Sequence, residues 1–217
     1  MSREFRSYFL SASCVLFGLL ALAGCSQQQP SGPAKEQKSA EPAPAPLPPP
    51  APTRVRFTTS KGDFVMEVHK EWAPLGAERF LELVNAGFYN ESRFFRVVPN
   101  FVVQFGLAAN PAVTKKWDQR IDDDPVLRTN RVGSVAFATN GPNTRTTQVF
   151  INLRGNQVLD EKGFAPFAQV VEGMEVVEKL YSGYGERPDQ EQIRRQGNKY
   201  LIENYPNLDY IKRAVIE

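Results

Sequence analysis

The chain has 217 residues and a formal net charge of +2, from 26 Lys and Arg residues against 24 Asp and Glu residues. This balance lacks the basic excess that nucleic-acid binding usually needs, so we expect no nucleic-acid partner. The single histidine, His69, argues against a multi-histidine metal site and a Ser-His-Asp triad, and we expect no metal. We place His69 at the surface, at the far end of a strand.

Prolines and cysteines divide the chain into two unlike parts. Nine of the 17 prolines lie between Pro30 and Pro52, and the other eight lie beyond Arg54. Residues 54–217 have a length that fits one domain with a sizeable core. Both cysteines, Cys14 and Cys25, precede that domain, which excludes disulfides and thiolate metal sites from it.

Residues 1–25 have the pattern of a signal peptide. Arg3 and Arg6 precede an apolar run of about 16 residues, which is short for a membrane span. The run ends in Leu-Ala-Gly-Cys, which resembles a bacterial lipobox. The resemblance implies that the leader is cleaved and that Cys25 carries a lipid that anchors the protein to the membrane. The alternatives are an ordinary signal peptide, or an uncleaved anchor, that happens to contain a cysteine.

Residues 26–53 are predicted to form a disordered, proline-rich linker. The segment has no periodic apolar face, so it cannot bury enough surface to offset the cost of ordering. In an extended polyproline conformation it could span roughly 80 Å, at about 3.1 Å per residue. We expect a spacer from the membrane, and a PxxP ligand for a partner domain is the alternative. The resemblance to a lipobox implies a lipid-anchored protein of the bacterial cell envelope that faces the periplasm, and Ser26 after Cys25 favours the outer membrane over the inner one.

From Arg54 the pattern becomes that of a compact, strand-rich domain. Alternating residues on both sides of a Lys-Gly-Asp turn predict a β-hairpin over residues 54–69. Apolar residues at helical spacing predict a first helix from Pro74 to about Gly87. Further short strands are predicted at residues 94–98, 101–105, 134–138, 148–153, 167–171 and 210–216.

Two more helices are predicted towards the C-terminus. The first covers residues 174–181, and the other runs from a cap at Asp189 to about Glu203. Many short strands with two or three helices indicate a closed barrel or a sandwich. We assign no role to the last helix, and we expect the arginines between Arg187 and Arg195 to form a solvated face rather than a binding patch.

Two segments place polar residues next to apolar strands. The first is FFRVVPNFVVQ, residues 94–104, in which Arg96 must be satisfied by neighbours or face a cleft. The second is NGPNTRTTQVFI, residues 140–151, which is a loop rich in turn residues that leads into a strand. Together they resemble the signature regions of the cyclophilin-type peptidyl-prolyl cis-trans isomerases, and the resemblance covers about residues 55–181.

The resemblance implies a mainly β fold, an eight-stranded antiparallel barrel closed at its ends by two helices. The predicted helix near the C-terminus is then an extra element packed on the barrel. The groove for substrate lies on the outside of that barrel. The family needs no cofactor, and its substrates are proline-containing polypeptides. We expect a monomeric isomerase that assists the folding of exported proteins. A non-catalytic chaperone or scaffold of the same fold is the alternative.

Matching positions of the family's motifs identify the site residues. Arg96 matches the catalytic arginine, and Phe101 and Gln104 are assigned to the catalytic set with it. The residues implied to bind substrate are Val102, Ala138, Thr139, Phe150, Leu159 and Phe164. Ala138 and Thr139 would hold the substrate through their backbone near the susceptible bond, and the apolar residues would form a pocket for the proline ring.

The sequence also departs from the best-known members of the family. Val158 stands where many members have a tryptophan, which puts binding of cyclosporin-like inhibitors in doubt. Phe164 stands in place of a histidine, Thr139 in place of an asparagine and Val102 in place of a methionine.

Four of these site residues also have a purely structural interpretation. Phe101 and Phe150 could be core residues, and Gln104 could satisfy backbone groups of the barrel. Arg96 could instead be a buried ion-pair partner of Asp122, Asp123 or Asp124.

Overall fold

A computed structural model of the protein describes residues 51–217. Their eight strands are β1 Thr53–Thr59, β2 Asp63–Val68, β3 Arg96–Val98, β4 Val102–Phe105, β5 Ser134–Phe137, β6 Val149–Asn152, β7 Pro166–Glu172 and β8 Ile211–Ile216. All pairings are antiparallel, in the order β3-β4-β6-β5-β7-β2-β1-β8. The mainly β prediction is confirmed. The predicted signal peptide, Cys25 and nearly all of the predicted linker lie outside the described residues.

The sheet curls into a half-barrel, and the predicted full closure is not confirmed. Its edge strands β3 and β8 each pair with one neighbour in the described part of the chain. The two edges approach each other just before these strands, where Arg93 and Tyr210 form an isolated antiparallel bridge. The Phe94 N–H donates to the Asp209 carbonyl at 3.0 Å beside it.

Five α-helices accompany the sheet, which are α1 Pro74–Asn85, α2 Pro111–Trp117, α3 Met174–Glu178, α4 Gln190–Gln196 and α5 Asn198–Asn204. The predicted single helix after Asp189 is wrong, because α4 and α5 are separated at Gly197. This residue has a φ of 60°, and a Cβ there would lie 2.2 Å from the Ala109 carbonyl oxygen, so only glycine fits. The predicted cap is confirmed, since the Asp189 carboxylate accepts from the Gln192 N–H at 2.9 Å.

The concave side of the sheet and α1 enclose one core that is rich in aromatic rings. Phe57 and Phe64 stack across the hairpin with ring centroids 4.9 Å apart. Phe80 of α1 packs 4.9 Å from Phe167 of β7, and Val177 of α3 belongs to the same cluster. Burial of this apolar area is the main term that stabilises the fold.

The connection between α3 and β8, residues 179–210, forms a second, smaller core on the outside of the sheet. Apolar residues of α4 and α5 pack there against residues that flank β3 and β4, and the buried members are Phe95, Leu107, Ile193, Leu201 and Leu208. The two ends of this α3–β8 connection meet, because the Tyr181 N–H donates to the Asp209 carboxylate at 2.8 Å.

The buried carboxylate of Asp124, in the segment before β5, joins the start of α1 to Arg145 in the segment between β5 and β6. Helix α1 has no side-chain cap of its own at Ala73. The Asp124 carboxylate takes that role by accepting from the Leu75 N–H at 3.0 Å and the Gly76 N–H at 2.8 Å. The same carboxylate accepts from Nη1 of Arg145 at 3.0 Å, and both side chains are almost fully buried. The negative charge therefore satisfies a helix N-terminus and a guanidinium together.

We expect replacement of Asp124 by alanine to destabilise the fold by about 3–5 kcal/mol, because it removes the buried carboxylate that accepts from Nη1 of Arg145 and from two N–H groups at the start of α1. Equilibrium denaturant unfolding measures this change. Glu82→Ala is the matched control, since Glu82 pairs with Arg79 on the surface of α1 at 3.4 Å and should change stability by less than about 1 kcal/mol. Equal effects of the two substitutions would contradict the prediction.

Tyr89 is a fully buried tyrosine in the aromatic core. Its hydroxyl donates to the Thr147 carbonyl at 3.1 Å. Burial raises the pKa of Tyr89 well above the ordinary value for tyrosine. The unfolded chain therefore loses this proton first as the pH rises.

We expect Tyr89 to contribute to stability below about pH 10, where tyrosine is neutral in both states, and to lose that contribution as the pH rises further. The free energy of unfolding of the wild type should therefore fall more steeply above this pH than that of Tyr89→Phe. Denaturant unfolding between pH 8 and pH 11 measures both slopes. A Tyr89→Phe slope equal to that of the wild type would contradict the assignment.

Candidate active site

A groove of about 490 Å³ lies on the outer side of the sheet, over β3, β4, β6 and the loops that follow β5 and β6. Nine residues that the sequence analysis singled out all contribute to its lining, which are Arg96, Phe101, Val102, Gln104, Ala138, Thr139, Phe150, Leu159 and Phe164. The structure thus brings the two motifs together at one place, although they are separated by more than 30 residues in the sequence. Their chemical roles stay predictions.

Strand register explains why these side chains meet. Arg96 on β3 lies opposite Gln104 on β4, and Gln104 lies opposite Phe150 on β6. Residues that are directly opposite in an antiparallel sheet share one face, so the three side chains form a row along the groove. The next residue pair, Val103 and Ile151, lies on the other face and belongs to the aromatic core.

Polar groups at one end of the row form a hydrogen-bonded chain. Nη1 of Arg96 donates to the Gln104 side-chain oxygen at 3.1 Å. The Gln104 amide nitrogen donates in turn to the Gln148 side-chain oxygen at 2.9 Å. The Arg96 side chain is about one quarter exposed, whereas Gln104 is buried. The guanidinium also lies over the Phe101 ring, with 5.5 Å between Cζ and the ring centroid. Gln104 therefore fixes one side of a cation that is accessible from the groove.

Apolar residues at the other end of the row form a shallow pocket. Its buried floor consists of Val102, Ala136, Phe150 and Leu159. The half-buried side chains of Phe101, Ala138 and Phe164 surround that floor. The Phe164 ring meets the Phe150 ring edge to face, with centroids 5.5 Å apart. A 3-10 turn, Gln157–Leu159, brings Leu159 to the pocket, and the Phe164 N–H donates back to the Leu159 carbonyl at 3.1 Å. The pocket can hold a small apolar group beside the guanidinium.

The loop after β5 borders the groove and is closed by its own side chains. The Thr139 hydroxyl lies 2.7 Å from the Thr144 hydroxyl, which also accepts from the Asn140 N–H at 3.0 Å. Asn143 and Asp123 exchange two hydrogen bonds, each between one backbone N–H and the other side chain. These contacts use the Thr139 side chain within the loop, so a ligand there would meet mainly backbone.

Asp123 and Asp124 approach Arg145 rather than Arg96. The alternative in which Arg96 pairs with the aspartates at 122–124 is therefore wrong. Asp124 bonds Nη1 of Arg145, and Nε of Arg145 lies 3.2 Å from the Asp123 carboxylate without a hydrogen-bond geometry. The carboxylate partner of Arg96 is Glu186, whose Oε1 accepts from Nε at 2.6 Å and also contacts Nη2.

Several groove residues were missed by the sequence analysis, namely Asn140, Thr144, Thr146, Gln148, Lys162, Glu186, Gln190 and Arg194. Three of them, Glu186, Gln190 and Arg194, come from the α3–β8 connection. The predicted solvated face is thus wrong for Arg194, which lines the groove and is about one quarter exposed. Gln148 had a local signal, because it directly precedes the β6 apolar run. Glu186 had none, since it contacts a residue 90 positions away.

His69 does not line this groove. Its ring stacks on Trp72 at 3.8 Å, and Nδ1 lies 3.0 Å from the Glu71 carboxylate. Within residues 51–217, no group of three or more His, Cys, Asp or Glu side chains is placed to hold a metal ion. In the same range, no helix combines the length and the apolar character needed to cross a membrane.

The chain is similar to one known family and to several known proteins. The family model described as "Cyclophilin type peptidyl-prolyl cis-trans isomerase/CLD" matches residues 54–198. Peptidyl-prolyl cis-trans isomerase A of Dickeya dadantii is 36% identical over 141 residues, which cover 59% of this chain and 70% of that protein. Peptidyl-prolyl cis-trans isomerase-like 1 of Aspergillus fumigatus is 35% identical over 135 residues, which cover 59% of this chain and 81% of that protein.

Solved structures show the same fold. A cyclophilin-type peptidyl-prolyl cis-trans isomerase of Cryptosporidium parvum superimposes with a TM-score of 0.58 and 24% identity, over 76% of this chain and 97% of that one. A second structure of that protein, determined in the presence of the dipeptide Ala-Pro, gives a TM-score of 0.57 over 76% of this chain and 98% of that one.

Proposed function

This chain belongs to the cyclophilin-type peptidyl-prolyl cis-trans isomerase family, and we propose that it rotates X–Pro bonds of exported proteins in the groove around Arg96. The observation that carries the assignment of the site is the row across β3, β4 and β6. It places the Arg96 guanidinium, fixed by Gln104, next to an apolar pocket built on Phe150.

The reaction has a barrier because the amide bond is conjugated. Rotation about a peptide bond costs about 18–20 kcal/mol, and uncatalysed X–Pro isomerisation takes tens to hundreds of seconds. In the twisted transition state the conjugation is lost, and the prolyl nitrogen becomes pyramidal and a better hydrogen-bond acceptor. A group that donates to this nitrogen therefore binds the transition state more strongly than either planar ground state.

Arg96 is the donor in this proposal. Its guanidinium is permanently charged, and it borders the groove beside the apolar pocket. A hydrogen bond to a charged group contributes about 1.5–3 kcal/mol, which corresponds to about one to two decades in rate. No nucleophile, proton transfer or cofactor takes part, because rotation makes and breaks no covalent bond.

The apolar pocket supplies the rest of the rate enhancement by holding the proline ring. Val102, Phe150 and Leu159 are buried at its floor, and Phe101 and Phe164 close its sides. Burial of the ring fixes one end of the susceptible bond while the residue before proline rotates. In this assignment the backbone of Ala138 and Thr139 holds the chain near that bond, which agrees with the use of the Thr139 hydroxyl inside the loop.

We expect Arg96→Ala to lower kcat/KM by about tenfold or more, because the variant loses the charge-assisted hydrogen bond to the twisted amide. An isomerisation assay on a short X–Pro peptide measures the effect. Arg56→Ala is the matched control, since Arg56 is an exposed arginine of β1 that pairs with Glu217, and it should keep wild-type activity with an unchanged circular dichroism spectrum.

An inactive wild type, or an Arg96→Ala variant as active as the wild type, would contradict the proposed chemistry. The first result would favour a non-catalytic protein of the same fold that binds proline-containing segments. Measurement of peptide affinity by NMR titration in the same variants distinguishes that function, because binding to the apolar pocket does not require the guanidinium.

We further propose that the protein acts in the bacterial cell envelope, attached to the membrane by a lipid on Cys25 and facing the periplasm, with the outer membrane preferred. Support comes from the sequence of the leader, in which charged residues and an apolar run precede Leu-Ala-Gly-Cys. The proline-rich residues 26–53 would serve as the spacer between the membrane and the groove. The substrates of the protein would then be unfolded exported chains.

We expect Cys25→Ala to move the protein from the membrane fraction to the soluble fraction, because the variant cannot receive the lipid. Detergent partitioning and the intact mass of the mature N-terminus measure this change. Cys14→Ala is the control, since Cys14 lies within the leader, and this variant should keep the wild-type distribution. A wild-type protein whose intact mass shows an unprocessed N-terminus without a lipid would contradict lipidation and indicate an uncleaved anchor.

A further inference from the structure

We propose that Glu186, in the α3–β8 connection, is a positioning residue that holds the guanidinium of Arg96 in the orientation needed for the reaction. The inference rests on the proposed function of the groove. It concerns a residue that lies outside both signature motifs and 90 positions from its partner.

The N–H donors of Arg96 are shared between two acceptors, the Glu186 carboxylate and the Gln104 side-chain oxygen. Nε donates to Oε1 of Glu186 at 2.6 Å, and Nη2 contacts the same carboxylate. Nη1 donates to the Gln104 side chain at 3.1 Å. A guanidinium has five N–H donors. Three are thus engaged within the described part of the chain, and two remain for a ligand in the groove. Glu186 therefore need not leave when a substrate amide binds.

The Phe101 ring limits the remaining freedom of the guanidinium. Cζ of Arg96 lies 5.5 Å from the centroid of that ring, which is within the range of a cation–π contact. The Glu186 carboxylate and the Gln104 side-chain oxygen hold two edges of the guanidinium plane. A planar group that is held at two edges and attracted to an aromatic ring has little freedom to turn about its long side chain.

Glu186 itself lies on a turn that is anchored to the sheet. The Val97 N–H on edge strand β3 donates to the Gly185 carbonyl at 3.3 Å. Nη2 of Arg187 donates to the Gly183 carbonyl at 2.7 Å, and the Tyr205 hydroxyl donates to the Arg187 carbonyl at 3.0 Å. The Tyr184 ring packs edge to face against Tyr205, with centroids 5.1 Å apart. The turn therefore presents its carboxylate from a defined place.

The exposure of the Arg96 and Glu186 side chains separates a role in positioning from a role in stability. The Arg96 side chain is 24% exposed and that of Glu186 is 62% exposed. An ion pair this exposed contributes little to folding, because water and salt screen it. Removal of the Glu186 carboxylate should therefore leave the fold intact and increase the mobility of the Arg96 guanidinium. Preorganisation of a donor before substrate arrives is a recognised source of transition-state stabilisation.

The test compares Glu186→Ala and Glu186→Gln with the wild type on an X–Pro peptide that has no charged side chains. For Glu186→Ala we expect a fall in kcat of about fivefold or more and a KM within about twofold of the wild type, because positioning acts in the transition state. Glu186→Gln keeps an acceptor oxygen and should recover part of the loss. Glu203→Ala, at an exposed glutamate of α5, is the control and should behave as the wild type.

Two further measurements separate positioning from other effects. In an Arg96→Ala background, Glu186→Ala should cause no additional loss, because the two residues act as one unit. The side-chain NMR signal of the Arg96 Nε–H group should show a rigid guanidinium in the wild type. In Glu186→Ala the same signal should show the mobility of an exposed arginine.

The outcomes also separate this inference from the proposed function. If Arg96→Ala loses activity but Glu186→Ala keeps wild-type kcat, or leaves the Arg96 signal rigid, the positioning role is overturned and the proposed function stands. If Glu186→Ala is faster than the wild type, the carboxylate competes with substrate, and positioning is overturned as well. If Arg96→Ala is as active as the wild type, the proposed function itself fails.

Discussion

The structure around the groove depends on one buried carboxylate, that of Asp124. It accepts two backbone N–H groups at the start of α1 and one guanidinium N–H of Arg145. Two desolvated charges are costly unless their hydrogen bonds are made, and here the helix N-terminus supplies donors that the ion pair alone would lack. Residue 76 is a glycine, and a Cβ there would lie 3.1 Å from Nη1 of Arg145, so any larger residue would press on the guanidinium.

This carboxylate connects the core to the loop that borders the groove. Arg145 directly follows the loop after β5, which borders the groove. Asp123, the neighbour of Asp124 in the sequence, exchanges two hydrogen bonds with Asn143 in that loop. Residues that do not line the groove therefore hold this loop in place. The other side of the groove is fixed in a different way, by register between short strands. Arg96, Gln104 and Phe150 share one face because each is directly opposite the next.

Much of the fold could be predicted because its signals are local. The hairpin and α1 have apolar periodicity within single segments, and the Asp189 cap lies three residues from the N–H that it binds. Helix α2 was missed, although Asn110 caps it and Pro111 begins it, because seven residues carry little periodicity. The break at Gly197 also had a local signal, since glycine interrupts the helical pattern there.

The candidate site was predictable only in part, for a physical reason. Its motif residues lie on strands, and alternation along a strand determines the face on which each side chain lies. Together with the family resemblance, this placed Arg96 and Phe150 in one groove. The partner of Arg96 could not be predicted, because carboxylates at 122–124 and at 186 are equally compatible with the sequence. Only packing of the α3–β8 connection decides between them. The extent to which the sheet closes likewise depends on how two distant edges meet.

The α3–β8 connection leaves and rejoins the sheet at almost the same point, because the Tyr181 N–H bonds the Asp209 carboxylate. A segment whose ends meet can be lengthened or shortened at a closure cost that changes slowly with its length. It contributes Glu186, Gln190 and Arg194 to the groove, and it packs on the sheet through a small core of its own. A change in the length of this segment should therefore alter the lining of the groove while the strand register and the main core stay the same.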